Sequence, residues 1–354
     1  MSRLLFLLLL LTTIRFDARG ADKDELGVIR RTVRGFDYID ERYIEPQHYN
    51  FTAMAQAGYT YDYYTLRSGD GQTLNFAPDR TFKAGPYFGW KWFFAGWMFS
   101  LGHSDFSKNK TDIDLSIYSS QIGVDLFYRR TGNDYKIRNA RLGKNIDTAP
   151  IDHLPFDGIN VGITGGNIYY VFNHGRFSYP AAFAQSTIQK ISCGSWLAGI
   201  GYSINSLDFD YEKMQEVIDE RIDHTHNVKL DSGLMFCSAH YQDFNVSVGY
   251  AYNWVFAKNF LIGGCGQMAV SYKNSSGETI SADDIYSFNN VSPNFIGRFA
   301  LVYNNMRWYA GMSAIVRSNF YINSRFTSNN TFGSINLYAG FNFGLKKRYR
   351  TKKD

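Results

Sequence analysis

Apolar and polar residues alternate along the last regular stretch of the chain, from Ser334 to Leu345. Every second residue from Ile335 onward is Ile, Leu, Ala or Phe, whereas the residues between them are Asn, Tyr or Gly. A period of two predicts a β-strand. One apolar face and one mostly small, polar face are typical of a strand between lipid and a polar lumen, so this stretch is expected to close a membrane barrel.

Similar alternation recurs upstream. In Phe51–Leu66, Ala and Tyr occupy one face and mainly polar residues the other. Further strands are predicted over residues 81–90, 92–102, 112–119, 122–130, 168–173, 179–190, 192–207, 228–240, 244–256, 260–272, 294–304 and 306–317. The sequence therefore predicts an all-β protein, a single-chain antiparallel transmembrane β-barrel of about 12–14 strands with long extracellular loops and short periplasmic turns.

Turn-forming residues separate these segments. Tight turns are predicted at Ser119–Gln121, Gln242-Asp243, Ala257–Asn259 and Asn304-Asn305. Longer loops are predicted at Thr131–Asn160, on the extracellular side, and at Lys273–Pro293 and Asn319–Thr331. The charged segment Asp208–Asn227 is expected to contain a short helix, Tyr211–Arg221. The sequence does not decide on which side of the membrane this segment lies, because the number of strands between residues 159 and 230 is ambiguous.

The N-terminus has the outline of a secretory signal peptide. Arg3 precedes the apolar run Leu4–Leu11, which is too short to span a bilayer, and small residues follow at Ala18 and Ala21. The alternative is an N-terminal helix of the mature fold. The predicted organisation is a signal peptide at 1–21, a periplasmic lead-in at 22–48, the barrel at 49–345 and a basic tail at 346–354. We therefore expect export to the outer membrane of a gram-negative cell.

Composition narrows the class further. The 354 residues include 26 Tyr, 29 Phe, 32 Gly and 7 Pro, and no run of eighteen apolar residues follows the N-terminus. Transmembrane helices are therefore not expected. Much of the net charge of +5 lies in the tail, so nucleic acid is not an expected partner. Three cysteines, Cys193, Cys237 and Cys265, give neither a disulfide framework nor a metal pattern, and no cofactor is predicted.

Three tryptophans lie close together at a predicted hairpin. Trp90, Trp92 and Trp97 are expected to anchor the barrel at the membrane interface, where amphipathic rings form an aromatic belt. The alternative is a Trp-rich core of a soluble β-protein. In that case the second face of each strand would pack on another sheet.

The stretch Tyr169–Gln185, running on through Gln189 to Ser195, resembles the Bacteroidetes proteins grouped as domain of unknown function 4421. The segments Asp37–Ile39, Asp112–Leu115 and Gly123–Tyr128 are similar too. The resemblance covers roughly Phe36 to Leu345. It implies a secreted barrel of the outer-membrane type and no particular reaction.

Within that stretch, Arg176, Gln185, Gln189 and Lys190 are the candidate lumen or binding residues. They could contact a solute or an anionic group, or form a structural network that narrows the channel and fixes the strand register. Catalytic pairs are a weaker candidate. The pairs His174 with Ser178, His103 with Ser104, and His240 with Ser238 lack a specific motif, and a turn or lumen position explains each of them.

These observations favour a non-enzymatic outer-membrane barrel with a structural or surface role, or with limited passage of small solutes. The alternative is a membrane-embedded lipid acyl hydrolase, which needs a serine hydroxyl within reach of a histidine ring on adjacent strands. The expected partners are outer-membrane lipid and the barrel assembly machinery.

Overall fold

The computed structural model describes residues 38–90, 93–96, 99–101, 111–131, 134–222, 228–279, 285–322 and 326–350. Residues from Ile39 onward form one compact unit. The predicted signal peptide, most of the lead-in, residues 351–354 of the basic tail and Trp92 lie outside the described residues, as does the pair His103–Ser104. Trp97 likewise lies outside the described residues.

The described residues form seventeen strands and two α-helices. The strands are β1 (Ile44–Pro46), β2 (Tyr49–Ser68), β3 (Thr73–Pro78), β4 (Thr81–Trp90), β5 (Phe93–Gly96), β6 (Phe99–Leu101), β7 (Thr111–Tyr118), β8 (Ile122–Arg130), β9 (Tyr135–Arg141), β10 (Ile159–Val171), β11 (Thr187–Gln189), β12 (Cys193–Phe209), β13 (Phe236–Ala257), β14 (Phe260–Thr279), β15 (Ile285–Asn304), β16 (Trp308–Ile322) and β17 (Phe326–Leu345). The helices are α1 (Tyr179–Phe183) and α2 (Tyr211–Arg221). None of the described helices is long and apolar enough to cross a membrane.

Twelve described strands follow one another in a single antiparallel path, β5-β4-β2-β17-β16-β15-β14-β13-β12-β10-β8-β7. The last strand pairs with the first long one, from Phe326 opposite Ser68 to Leu345 opposite Tyr49. This pairing agrees with the prediction that the C-terminal strand closes the sheet. The sheet is curled, since side chains of β15 and β16 contact side chains of β7 and β8, which are not their neighbours in the path.

The two faces of the wall differ as the alternation predicts. On β13, the outward side chains from Phe244 to Trp254 are exposed and mostly aromatic or aliphatic, whereas inward Asn245, Ser247 and Ala251 are buried. This apolar stretch covers about 33 Å of strand at ~3.3 Å per residue. At a tilt of roughly 40° it spans about 25 Å, the height of a barrel's lipid-facing band. The fold is thus a transmembrane β-barrel.

The two ends of the barrel are built differently. We call the end with the tight turns at 119–121, 258–259 and 305–307 the turn end, and the opposite end, with segments 131–158 and 210–235, the loop end. At the loop end, β3 pairs with β9, and α2 packs over them. The buried side chains of this cluster include Phe76, Tyr135 and Met214 from these elements, and Phe156 and Phe209 from the segments beside them. A separate hydrophobic core therefore covers this end.

Several predicted turns and loops are continuous strand. Gln242-Asp243 lies within β13, residues 273–279 and 285–293 belong to β14 and β15, and only 323–325 separate β16 from β17. These three predictions are wrong for one reason. The polar residues that suggested loops, such as Asp243, Lys273 and Asn330, point inward and are buried in the lumen, where Asp243 and Lys273 form an ion pair. The predicted turns at Ala257–Asn259 and Asn304-Asn305 and the helix Tyr211–Arg221 are confirmed.

The predicted strand Tyr179–Lys190 is also wrong. Ser178 caps the start of α1 through a hydrogen bond from Ala181 N to its hydroxyl (3.2 Å), and Pro180 occupies the first turn. Both are helix-start signals. The segment between β10 and β12 therefore does not cross the membrane, and α2 lies at the loop end.

The tryptophans form a belt. Trp90, Trp196, Trp254 and Trp308 all point outward at the turn end of their strands, each at least half exposed. Only Trp90 belongs to the cluster singled out in the sequence. The residues of the belt are far apart in the chain. They lie at one end of the barrel because of the way the strands pair.

Candidate functional site in the lumen

The connection from β10 to β12 enters the turn end of the barrel. We call residues 172–192 the insertion; they contain α1 and β11. Within α1, Ala181 and Ala182 pack against Leu261, Ala300 and Val302, which point inward from β14 and β15. The insertion has 21 residues and is far longer than the tight turns that connect the other strands at this end. It fills the mouth of the barrel.

Gln189 holds the insertion together. Its amide nitrogen donates to the carbonyls of Arg176 (2.7 Å) and Ile191 (2.9 Å), and its amide oxygen accepts from Ser178 N (2.8 Å). Asn253 of β13 donates to the Ser178 carbonyl (2.7 Å). Gln189 is buried, so these bonds satisfy polar groups that water does not reach.

Gln185 ties the insertion to the opposite side of the wall. Its amide nitrogen donates to the hydroxyl of Tyr338 on β17 (2.8 Å), and its backbone carbonyl accepts from Asn304 at the end of β15 (3.2 Å). The residue adopts a left-handed backbone, with φ of 52°. Contacts to β13, β14, β15 and β17 together fix the insertion across the mouth.

Arg176 and Lys190 lie elsewhere. Both side chains are exposed, and the Arg176 guanidinium lies over the ring of Tyr43, 5.4 Å from its centroid. Lys190 donates through its backbone nitrogen to the Tyr43 carbonyl (2.7 Å). The structure thus brings Gln185 and Gln189 into the lumen mouth and leaves the two cations at its outer edge. A binding role for these four residues stays a prediction.

The lead-in strand β1 seals the edge of the insertion by pairing with β11, Ile44 opposite Gln189. Asp40 supports this contact, since its backbone nitrogen donates to the Gly175 carbonyl (2.7 Å). Its carboxylate accepts from the guanidinium of Arg42 (2.8 and 3.0 Å). This charged hydrogen bonding lowers the pKa of Asp40 to about 2, so the carboxylate is ionised at neutral pH.

Above the insertion, a buried ion pair crosses the lumen from Arg298 of β15 to Asp125 of β8. Ser116 donates to Asp125 (2.6 Å), and Arg298 donates to the hydroxyls of Tyr118 (2.7 Å) and Tyr169 (3.2 Å). The ring of Tyr179, from the insertion, packs against both tyrosines. A buried charge is tolerated only when it is paired and hydrogen-bonded, and both conditions hold here.

Further charged groups fill the middle of the lumen. Arg317 of β16 donates to Asp114 of β7 (3.0 Å), and Arg129 lies within 3.9 Å of Asp62 on β2. The guanidinium of Arg129 also lies over the ring of Phe332, 4.7 Å from its centroid. The four charged side chains belong to four different strands, so they link separate parts of the wall.

A fourth ion pair lies closer to the loop end. Lys273 is fully buried and lies 3.1 Å from Asp243, and its ammonium group donates to the Phe320 carbonyl (2.6 Å). Asn294 donates to the same carboxylate (3.0 Å). From the insertion to the hydrophobic core of the loop end, the described lumen contains successive layers of paired side chains.

The candidate catalytic pairs are differently engaged. The Ser178 hydroxyl bonds to Thr187 (2.6 Å), and the His174 ring contacts the Gln121 amide (2.8 Å). Burial lowers the pKa of His174 below its ordinary value. His240 points outward at the loop end, with Nε2 3.9 Å from Oδ1 of Asp208. Among the described residues, no group of three or more His, Cys, Asp or Glu side chains is close enough to hold a metal ion.

The lumen ion pairs were not predicted from the sequence. Asp125, Arg298 and Asp243 are charged residues at inward positions of β8, β15 and β13. A charged residue on the polar face of such a strand is a usable signal, because it must find a partner inside the barrel. The partner itself cannot be read from the chain, since each pair joins distant strands.

Comparison with solved structures gives low similarity. The outer membrane protease OmpT from Escherichia coli is 9% identical with a TM-score of 0.37, covering 83% of this chain and 97% of that one. The translocator domain of the autotransporter NalP from Neisseria meningitidis is 9% identical with a TM-score of 0.34, covering 90% and 95%. The toluene transporter TodX from Pseudomonas putida is 6% identical with a TM-score of 0.23, covering 84% and 91%. The barrel assignment therefore rests on the strand pairing and the two faces described above.

No curated protein matches the chain. A sequence family does match: the model of the family described as "Domain of unknown function (DUF4421)" aligns with residues 38–343. That range includes all twelve wall strands and the insertion, ending two residues before the end of β17. The chain therefore belongs to the DUF4421 family.

Proposed function

We propose that the protein is a non-enzymatic barrel of the gram-negative outer membrane, closed at rest, with a structural or surface role. The observation that carries the proposal is the insertion, whose residue Gln185 bonds to β17 while Asn304 of β15 bonds back to it. An open porin needs a water-filled lumen, whereas this mouth contains packed alanines and a network of buried, hydrogen-bonded amides.

The surface role rests on the loop end. Short turns and both termini of the wall lie at the opposite end, which is the periplasmic arrangement in barrels of this class. On that orientation, the core formed by β3, β9 and α2 faces the cell exterior. A folded cap with its own hydrophobic core presents a rigid surface rather than a flexible pore entrance.

Limited passage of small solutes is the other form of the proposal, and it requires the insertion to move. The acyl-hydrolase alternative draws no support from Ser178, whose hydroxyl is bonded to Thr187 rather than to His174. Solute passage predicts measurable conductance and the hydrolase predicts release of acyl chains from lipid, whereas a non-enzymatic barrel closed at rest predicts neither.

Planar-bilayer conductance tests the proposal. The refolded full-length protein is expected to insert without stable current steps, with carbonate-washed membrane fractionation confirming an integral protein. A variant in which Gly-Ser-Gly replaces residues 175–188 should give more frequent current steps, because the turn-end mouth loses its packed side chains while the ion-pair layers and the loop-end core remain. The control is Lys190→Gln, an exposed substitution beside the deleted residues that should remain silent. Stable steps from the unmodified protein would overturn the closed-barrel proposal.

A further inference from the structure

A groove runs across the outward face of the barrel near its turn end. Its floor is formed by Ala53, Ala55, Ala310 and Ala339, contributed by β2, β16 and β17, which are adjacent in the sheet. Its volume is about 840 Å³. Ala55, Ala339 and Ala310 are cross-strand neighbours at one level, and Ala53 lies one row nearer the turn end. These small side chains leave a depression beside the larger rings of the row that contains Ala53.

Aromatic rings form the wall of the groove on the side of the turn end. Phe88, Trp308 and Phe341 line it, and Trp308 and Phe341 contact each other with ring centroids 5.4 Å apart. Trp308 belongs to the tryptophan belt, and strand pairing places Phe341 and Phe88 at its level. Such a belt marks the boundary between hydrocarbon and headgroups. The groove therefore lies at the depth of acyl chains, just inside that boundary.

Cations follow immediately outside the belt. Arg307 precedes Trp308 in the chain, is exposed, and is held beside β17 by the bond from Asn342 N to its carbonyl (2.7 Å). Beyond the end of β17 come Lys346, Lys347, Arg348 and Arg350. Of the nearby carboxylates, Glu41 lies 3.6 Å from Arg348, and Glu45 lies 3.4 Å from His48. The rim consequently keeps an excess of positive charge.

We propose that this groove and its basic rim form a binding site for an anionic phospholipid, with acyl chains over the alanine floor and the headgroup phosphate beside Arg307. The inference goes beyond the proposed surface role but rests on its clause that the barrel lies in a membrane. Two features match this ligand together. The apolar depression has the volume of a small-molecule site, roughly 300–1,000 Å³, and the cations lie at headgroup level, where anionic lipids attract them.

A second copy of the chain is the competing occupant. Small residues also permit close approach of two membrane surfaces. Charge argues against it, since two copies related by a twofold axis would bring their basic rims toward each other. An anionic headgroup relieves that repulsion instead.

Native mass spectrometry of the full-length protein tests the site. The protein is released from micelles containing equal amounts of phosphatidylglycerol and phosphatidylcholine, and bound lipid is counted. We expect retained phosphatidylglycerol on the unmodified protein. Arg307→Glu should reduce that retention by about fivefold or more, the scale of one cation near an anionic surface. Ala339→Leu with Ala310→Leu should reduce it by filling the groove.

Matched variants separate these effects from general ones. Lys258→Glu changes an exposed turn-end cation away from the groove, and Ala198→Leu adds the same bulk to the outward face of β12. Both should retain lipid as the unmodified protein does. Equal retention of the two lipids, loss with the control variants, or a dimer mass in place of lipid would overturn the site. Failure to insert into nanodiscs would instead refute the membrane clause of the proposed function.

Discussion

At the scale of single residues, the lumen is held by ion pairs whose two members come from distant strands. Arg298 and Asp125 are both almost completely buried, and each also has a neutral hydrogen-bond partner. Such a pair contributes little net stability compared with a hydrophobic filling, but breaking it leaves a charge in a site that water does not reach. The lumen pairs therefore determine how the wall strands face one another.

Asp125→Asn tests this directly. It keeps the shape of the side chain but leaves the Arg298 charge uncompensated, so we expect a loss of about 3–5 kcal/mol in the free energy of unfolding. Urea unfolding in micelles, followed by tryptophan fluorescence, measures it. Ser116→Ala removes one hydrogen bond to the Asp125 carboxylate and leaves the ion pair, so it should cost less, about 1.5–3 kcal/mol. An Asp125→Leu, Arg298→Met double variant should recover stability; equal stability of Asp125→Asn and the unmodified protein would contradict the assignment.

At the scale of elements, the insertion depends on a glycine of the wall. A Cβ on Gly263 would lie 2.5 Å from the Cβ of Ala182, closer than carbon atoms approach, whereas a Cβ on the next residue, Gly264, meets nothing within 4 Å. Gly263 points into the lumen and Gly264 away from it, because successive strand residues alternate. The close packing of α1 against β14 therefore requires a residue without a side chain.

Gly263→Val should displace α1 at a cost of about 1–3 kcal/mol, the usual penalty for overpacking. Hydrogen exchange of the amides between 173 and 190 should accelerate while β13 and β14 remain protected. Gly264→Val is the matched control and should change stability by less than about 0.5 kcal/mol. Unchanged exchange in the insertion after Gly263→Val would show that α1 does not pack on this wall.

At the scale of the whole molecule, the seam between β2 and β17 joins the two ends of the wall in sequence. Ala55 lies opposite Ala339 on the outward face, 284 residues away in the chain. A register slip of one residue would turn every lipid-facing side chain of β17 into the lumen, so this pairing is strongly specified.

A disulfide across the seam tests closure. In a chain whose native cysteines are replaced by serine, Ala55→Cys with Ala339→Cys should cross-link under mild oxidation, since paired Cβ atoms lie about 4.5–5.5 Å apart. The boiled, oxidised protein should migrate differently on a denaturing gel, and reductant should abolish the difference. Ala55→Cys with Ala198→Cys, on separate parts of the wall, should not cross-link. Cross-linking of that control pair instead would refute the register.

Local patterns predicted the elements that depend on local physics. The helix Tyr211–Arg221 follows a capping aspartate, Asp210, and the turn at Asn259 uses a left-handed backbone that asparagine tolerates. Local turn signals gave a wrong prediction at Gln242-Asp243, because a polar pair of residues is typical of a turn only where the chain is surrounded by water. In the lumen, Asp243 faces Lys273, so a charged pair continues the strand instead of ending it.

The sequence by itself determined a β-barrel with a lipid-facing exterior, because a strand between two media must alternate and no other regular structure has a period of two. Only the tertiary structure decided what the interior contains. Whether Gln185 and Gln189 line an open channel or bind an insertion to the wall depends on contacts between residues more than a hundred positions apart, such as Gln185 with Tyr338. Residue pattern specifies which face a side chain occupies, whereas its partner depends on how the sheet curls.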